Sequence, residues 1–77
     1  MYTVYSKSGC PYCDAVEKLF NMKGIEYRKY MLGKEFTKEQ FVAEFGNSTF
    51  PRVLDEKGRL IGGATETVQY LKESGIL

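Results

Sequence analysis

Two cysteines separated by two residues, at the point where a short strand gives way to an amphipathic helix, constrain this chain more than anything else in it. Cys10 and Cys13 are the only cysteines among 77 residues, and they stand in Gly9-Cys10-Pro11-Tyr12-Cys13. Ahead of them, Tyr2–Ser6 has the β-branched and aromatic make-up of a strand. Behind them, Pro11 suits a first helical turn, where a missing N–H costs no hydrogen bond. Ala15, Val16, Leu19 and Phe20 then recur at helical spacing and form one apolar face. Any fold for this sequence must end a strand, start a helix and present both thiols at one place.

The remaining punctuation predicts strand, helix, strand, helix, strand, strand, helix in a single domain over residues 1–77. The first helix is expected over Pro11–Lys23, with Gly24 as its stop. Ile25–Met31 alternates as a second strand, and Gly33 opens a loop. Thr37 and Gln40 have the spacing of a capping box, with Phe36 and Phe41 placed as a hydrophobic staple. Phe41, Val42 and Phe45 would give that helix its buried stripe before Gly46 ends it. Pro51–Leu54 and Arg59–Ile61 read as a hairpin about the turn Asp55–Gly58. Gly62-Gly63 breaks the chain, a last helix starts at Thr65 or a neighbour with Val68 and Leu71 inward, and Gly75 closes it. A βαβ unit implies parallel strands, while the hairpin is antiparallel. The expected product is an α/β sandwich with a four-stranded mixed sheet and three helices.

Composition narrows the function. Six Tyr and five Phe supply large core side chains, so a small domain can close a core without disulfide staples. A Cys10–Cys13 bridge would close only a tiny loop and add little by loop entropy. Chemistry is the better reason for the pair. The net charge is +1 and no basic run appears, which argues against a nucleic-acid surface. No charged stretch leads into an apolar one at Met1–Tyr5, and no apolar run approaches membrane-spanning length. The expectation is a soluble, cytoplasmic monomer whose thiols cycle in a reducing compartment.

A thiol attacks a disulfide only as thiolate. Cys10 precedes the first helix, where unpaired amides and the helix dipole favour negative charge, and Lys7 could add a nearby cation. Cys13 lies one turn inside and should be more shielded. Cys10 is therefore expected to attack a substrate disulfide, and Cys13 to resolve the mixed disulfide. Other readings of the pair stay open at this stage. Half of a zinc site would need a second copy or carboxylates, because the chain has no His and no further Cys. Two inert buried cysteines would not explain the Gly before, the Pro between or the helix start.

Cys10-Pro11-Tyr12-Cys13, preceded by Val4–Gly9, resembles the active-site motif of dithiol glutaredoxins, within the thioredoxin-like superfamily. Thr49-Phe50-Pro51 is similar to that family's Thr-Val-Pro segment, whose proline is cis and faces the site. Gly62-Gly63 is similar to its double glycine before the last helix. The resemblance covers essentially the whole chain. It implies a thioredoxin-like fold and no tightly bound cofactor or metal, with glutathione as co-substrate. Cys10 would bond the glutathione sulfur, Lys7 and Tyr12 would line the groove, and Phe50 and Pro51 would pair with the tripeptide backbone. The helix start at Gly63, Ala64 and Thr65 would receive the γ-glutamyl carboxylate.

The sequence also departs from the pattern. Thr65 stands near the place where many relatives carry an Asp, and Phe50 replaces a smaller Val, which is expected to narrow the groove. Lys34, Lys38 and Arg52 are the candidates for a second carboxylate contact. The implied activity is reduction of protein disulfides and glutathione mixed disulfides, with ribonucleotide reductase as a typical client. One alternative keeps the chemistry but takes electrons from a thioredoxin reductase. Another is a binding module holding an iron–sulfur cluster through Cys10 and glutathione thiolates.

Overall fold

The computed structural model describes residues 1–77. Seven elements follow in the expected order: β1 (Tyr2–Ser6), α1 (Pro11–Met22), β2 (Tyr27–Met31), α2 (Lys38–Phe45), β3 (Arg52–Leu54), β4 (Leu60–Gly62) and α3 (Ala64–Glu73). The sheet order is β2-β1-β3-β4. β1 runs parallel to β2, with Tyr2 opposite Tyr27 and Ser6 opposite Met31. β3 is antiparallel to both β1 and β4.

The pleat of β1 divides the molecule into layers, because successive side chains of a strand point to opposite faces. Tyr2, Val4 and Ser6 are buried on one face. There Tyr2 meets Phe20 of α1 and Tyr70 of α3, at ring-centroid distances of 5.4 and 6.5 Å. With Val16, Val53 and Leu71 these form the apolar core. Each such side chain, fully buried, stabilises the fold by about 1.5–3 kcal/mol relative to exposure. Tyr5 points to the other face and meets Phe36, Phe41 and Phe45 edge-on at 5.1, 6.4 and 5.0 Å. That second cluster seats α2. Burial among these rings, together with the nearby negative charge of Glu44, raises the Tyr5 hydroxyl above its ordinary pKa.

The start of α2 follows its sequence signals closely. The Gln40 amide donates to Thr37 Oγ1 at 3.1 Å, and the Thr37 amide donates to Gln40 Oε1 at 2.8 Å. Phe36 and Phe41 close the staple with stacked rings 5.8 Å apart. Of the expected stripe, Phe41 is buried, whereas Val42 and Phe45 are only half-buried.

Several boundaries differ from expectation for local reasons. α1 ends at Met22, with Lys23 as its C-cap. Ile25 is not a strand residue, since its amide bonds Phe20 O at 2.9 Å and the Gly24 amide bonds Asn21 O at 3.3 Å. This pairing is a Schellman closure, so β2 starts only at Tyr27. Ala15 is exposed, and Cys13 takes the buried place on α1 beside Val16 and Phe20. β3 starts after Pro51, which has no amide to offer a ladder. β4 is displaced by one residue, to Leu60–Gly62, because the β3–β4 register shifts between Val53 and Leu54. On α3 the buried positions are Thr67 and Leu71, with Val68 half-buried.

Asp55 organises the hairpin turn. Its Oδ1 accepts the amides of Lys57 at 2.8 Å and Arg59 at 2.9 Å. The hydrogen bond from the Arg59 amide leads the causes that hold this carboxyl below its ordinary 3.8. A depressed carboxyl stabilises the fold at pH values above its unfolded pKa, and that contribution is lost as pH falls through the folded one. Protection of the Lys57 and Arg59 amides, relative to their intrinsic exchange at each pH, is therefore expected to fall on acidification below the usual aspartate range. In an Asp55→Asn variant that acid dependence should disappear, and its persistence would assign the acid limb elsewhere.

Candidate active site

The β1–α1 junction carries the cysteines as the sequence predicts. Cys10 is the N-cap of α1 in an extended backbone conformation, and its Sγ accepts the Cys13 amide at 3.2 Å. This contact is a first-turn amide directed at the sulfur, which suits a thiolate. Cys10 and Cys13 are joined as a disulfide, with their Cα atoms 5.2 Å apart. Cys13 is 1% exposed and Cys10 6%. Cys10, the expected attacking thiol, is the slightly more exposed of the two.

A groove of about 730 Å³ opens beside Cys10. It collects residues from three separate parts of the chain: Lys7 and Tyr12 around the cysteines, Phe50 and Pro51 before β3, and Gly63, Ala64 and Thr65 at the start of α3. Every residue expected at the binding site lines it, while Cys13 lies behind. Among the candidates for a further cation, Lys38 and Arg52 line the groove and Lys34 does not. The Phe50–Pro51 bond is cis, and Pro51 is buried. Tyr12 is 68% exposed and available to a ligand.

Phe50 lines the groove and also packs beneath it. Its ring stacks on Phe41 at 4.2 Å and 13°, so it extends the aromatic cluster beneath α2. Lys7 Nζ lies over the same ring, 5.5 Å from the centroid. A cation held over an aromatic face is placed by the ring quadrupole. Lys7 is thereby located in the groove by Phe50.

The start of α3 depends on two glycines and Glu66. Gly62 has φ +134°, and a Cβ there would stand 2.8 Å from Glu66 Cβ, so only glycine fits. The Gly63 amide donates to Glu66 Oε1 at 2.8 Å. As N-cap, Gly63 has no side chain to offer the first-turn amides. Thr67 Oγ1 donates to Gly63 O at 2.8 Å and fixes the same turn from inside. The Arg52 guanidinium lies across the Gly63 Cα and donates through Nε to Thr49 O at 3.0 Å. Sequence reasoning left Glu66 and Thr67 without roles. The spacing of Glu66, three residues after Gly63, is the signal that could have found it.

A polar group lies on the α1 side of the sheet. Ser6, 1% exposed, donates to Glu17 Oε2 at 3.0 Å. Glu17 Oε1 pairs with Lys29 Nζ at 3.0 Å. The hydrogen bond and charge of Glu17 raise Lys29 above its ordinary pKa.

With this geometry in hand, the relatives can be compared. The family model for Glutaredoxin matches residues 2–61. Mouse mitochondrial glutaredoxin-2 is 33% identical over 79 residues, covering 96% of this chain and 49% of the relative. Rice glutaredoxin-C6 is 35% identical over 78 residues, covering 96% and 69%. A crystal structure of a buckwheat glutaredoxin–glutathione complex superposes with a TM-score of 0.80 at 28% identity, covering 97% of this chain and 71% of that one. The chain spans about half or less of the length of the first curated relatives it matches. A matched model over most of the chain, a cysteine pair at the β1–α1 junction and a cis proline lining the groove beside Cys10 lead to one assignment: this chain belongs to the glutaredoxin family.

Proposed function

We propose that the chain reduces protein disulfides and glutathione mixed disulfides, with glutathione as the electron donor. The observation that carries this reading is the convergence of Lys7, Tyr12, Phe50, Pro51, Ala64 and Thr65 on one groove beside Cys10. The Cys10 thiolate attacks a substrate sulfur, and the substrate disulfide breaks as the electron pair leaves on the released sulfur, which takes a proton. Cys13 then attacks Cys10 Sγ, the second substrate thiol departs, and the Cys10–Cys13 disulfide forms. Glutathione returns the pair to dithiol by the reverse exchange.

Each part of the groove has a place in this reading. The cis Phe50–Pro51 segment lines the groove just ahead of β3, where its backbone is placed to meet a peptide ligand. The uncapped amides at Ala64 and Thr65 suit a carboxylate. Lys38 and Arg52 supply cations for a second carboxylate. Clients are disulfide-bearing proteins of a reducing compartment such as the cytoplasm, ribonucleotide reductase among them. No helix of the chain is long and apolar enough to cross a membrane.

The neutral Thr65 favours one second reading, in which a thioredoxin reductase recharges the same cysteine pair. A coupled assay separates the two. Turnover of a glutathione mixed disulfide is expected with glutathione and glutathione reductase. Silence there, with turnover supported by thioredoxin reductase, would transfer the function to the second reading.

A further inference from the structure

The exchange mechanism leaves the Ser6–Glu17–Lys29 group unused. Glu17 stands four residues after Cys13 on α1, and residues so spaced are neighbours on one helix face, with Cβ atoms about 6 Å apart. Glu17 is 13% exposed at its side chain, and Lys29 is 44% exposed. The carboxylate is therefore partly withdrawn from water on the side of the buried thiol, and its cation stands on the solvent side.

Other ionisable groups on the surrounding elements are committed elsewhere or exposed. Asp14 on α1 is exposed. Tyr27 on β2 packs on Phe20. Lys7 beyond β1 lies over Phe50. On α3, Glu66 serves the Gly63 amide and Tyr70 packs on Tyr2. Glu17 is left as the partly buried charge one helical turn from Cys13, with Lys29 as its ion-pair partner.

We propose that the Glu17–Lys29 pair sets when Cys13 ionises, Glu17 holding it as a thiol and Lys29 limiting that hold. This inference rests on the dithiol reading above. A like charge nearby disfavours a thiolate, and withdrawal from water strengthens the effect. Lys29 has the opposite sign but is better screened, because it reaches solvent. The consequence is a division of labour in time. Cys10 ionises first, directed by the first-turn amide. Cys13 keeps its proton until the mixed disulfide has formed, then loses it and attacks Cys10 Sγ. The bond from Cys10 to the departing sulfur breaks, and that sulfur leaves with the electron pair and takes up a proton. A Cys13 that ionises late lengthens the life of the mixed disulfide and leaves more time for a second external thiol to intercept it.

The test uses the reduced protein mixed rapidly with an aromatic disulfide that releases a coloured thiolate. A first burst reports attack by Cys10, and a second reports resolution by Cys13. Glu17→Gln keeps size and hydrogen bonding but removes the charge. It is expected to accelerate the second burst about threefold to tenfold at neutral pH and to move its pH midpoint downward. Lys29→Ala removes the compensating cation and is expected to slow the second burst and move the midpoint upward. A bridge with only a structural role would be broken by either change and would shift both variants in the same direction. Shifts of the same sign, or no shift, would overturn the proposal. Lys29 is exposed, so its variant decides the sign even if Glu17→Gln fails to fold. Absence of a second burst in the unmodified protein would instead remove the dithiol reading itself.

Discussion

Cys10→Ser is expected to abolish disulfide exchange entirely, whether the substrate is a protein disulfide or a glutathione mixed disulfide. Cys10 is the cysteine that borders the groove, and its sulfur receives the first-turn amide of α1. A serine hydroxyl in that place stays protonated and does not attack sulfur at a useful rate. Cys13→Ser should behave differently. Cys13 is buried and absent from the groove lining, and in the proposed exchange it is needed only to expel the second substrate thiol from Cys10. Its loss is expected to stop protein-disulfide reduction while leaving most turnover of glutathione mixed disulfides. Both variants should be assayed on both substrates. Surviving activity in Cys10→Ser would sink the assigned nucleophile, and equal loss of both activities in Cys13→Ser would contradict the separate roles.

Phe41→Ala is expected to destabilise the fold strongly and to damage the groove as well. Phe41 is 3% exposed and stacks on Phe36 at 5.8 Å and on Phe50 at 4.2 Å. Truncating a buried Phe costs about 3–5 kcal/mol. A domain of this kind has only about 5–15 kcal/mol in total, and a small one sits toward the lower end. The melting temperature should fall on the order of 20–30 °C. Phe50 also loses the surface that sets its plane, and Lys7 loses the ring beneath it. A weaker apparent affinity for the glutathione mixed disulfide should therefore accompany the loss of stability. Thermal unfolding and substrate titration of the one variant check both effects. A cost below about 1 kcal/mol would show that the second aromatic cluster is not the support described.

The parts of the fold that were legible in the sequence are those governed by local rules. Thr37, Gln40, Phe36 and Phe41 announced the start of α2 by spacing alone, and each forms the contact that spacing implies. The cysteine pair announced the β1–α1 junction. What escaped was decided by contacts that composition does not announce. Ile25 has strand composition, but the closing turn of α1 claims its amide. Ala15 fits a helical stripe, yet the sheet covers the face that includes Cys13 instead. Phe50 read as an obstruction because its partner, Phe41, is nine places away on another element. Glu66 reads as an ordinary exposed helix carboxylate until its spacing of three residues from Gly63 is considered. Its carboxylate faces back to Gly63, where the second glycine of the pair leaves room for the Arg52 guanidinium.

Both margins of the sheet are poor templates for another chain. β4 contributes three residues and meets β3 through a shifted register. β2, at the opposite margin, carries Arg28 and Lys29 in its exposed middle. Short, irregular or charged borders offer a neighbour little backbone to pair with. This architecture can be crowded, or joined to another folded unit, without its sheet being extended by accident, and the cysteine groove remains its reactive feature.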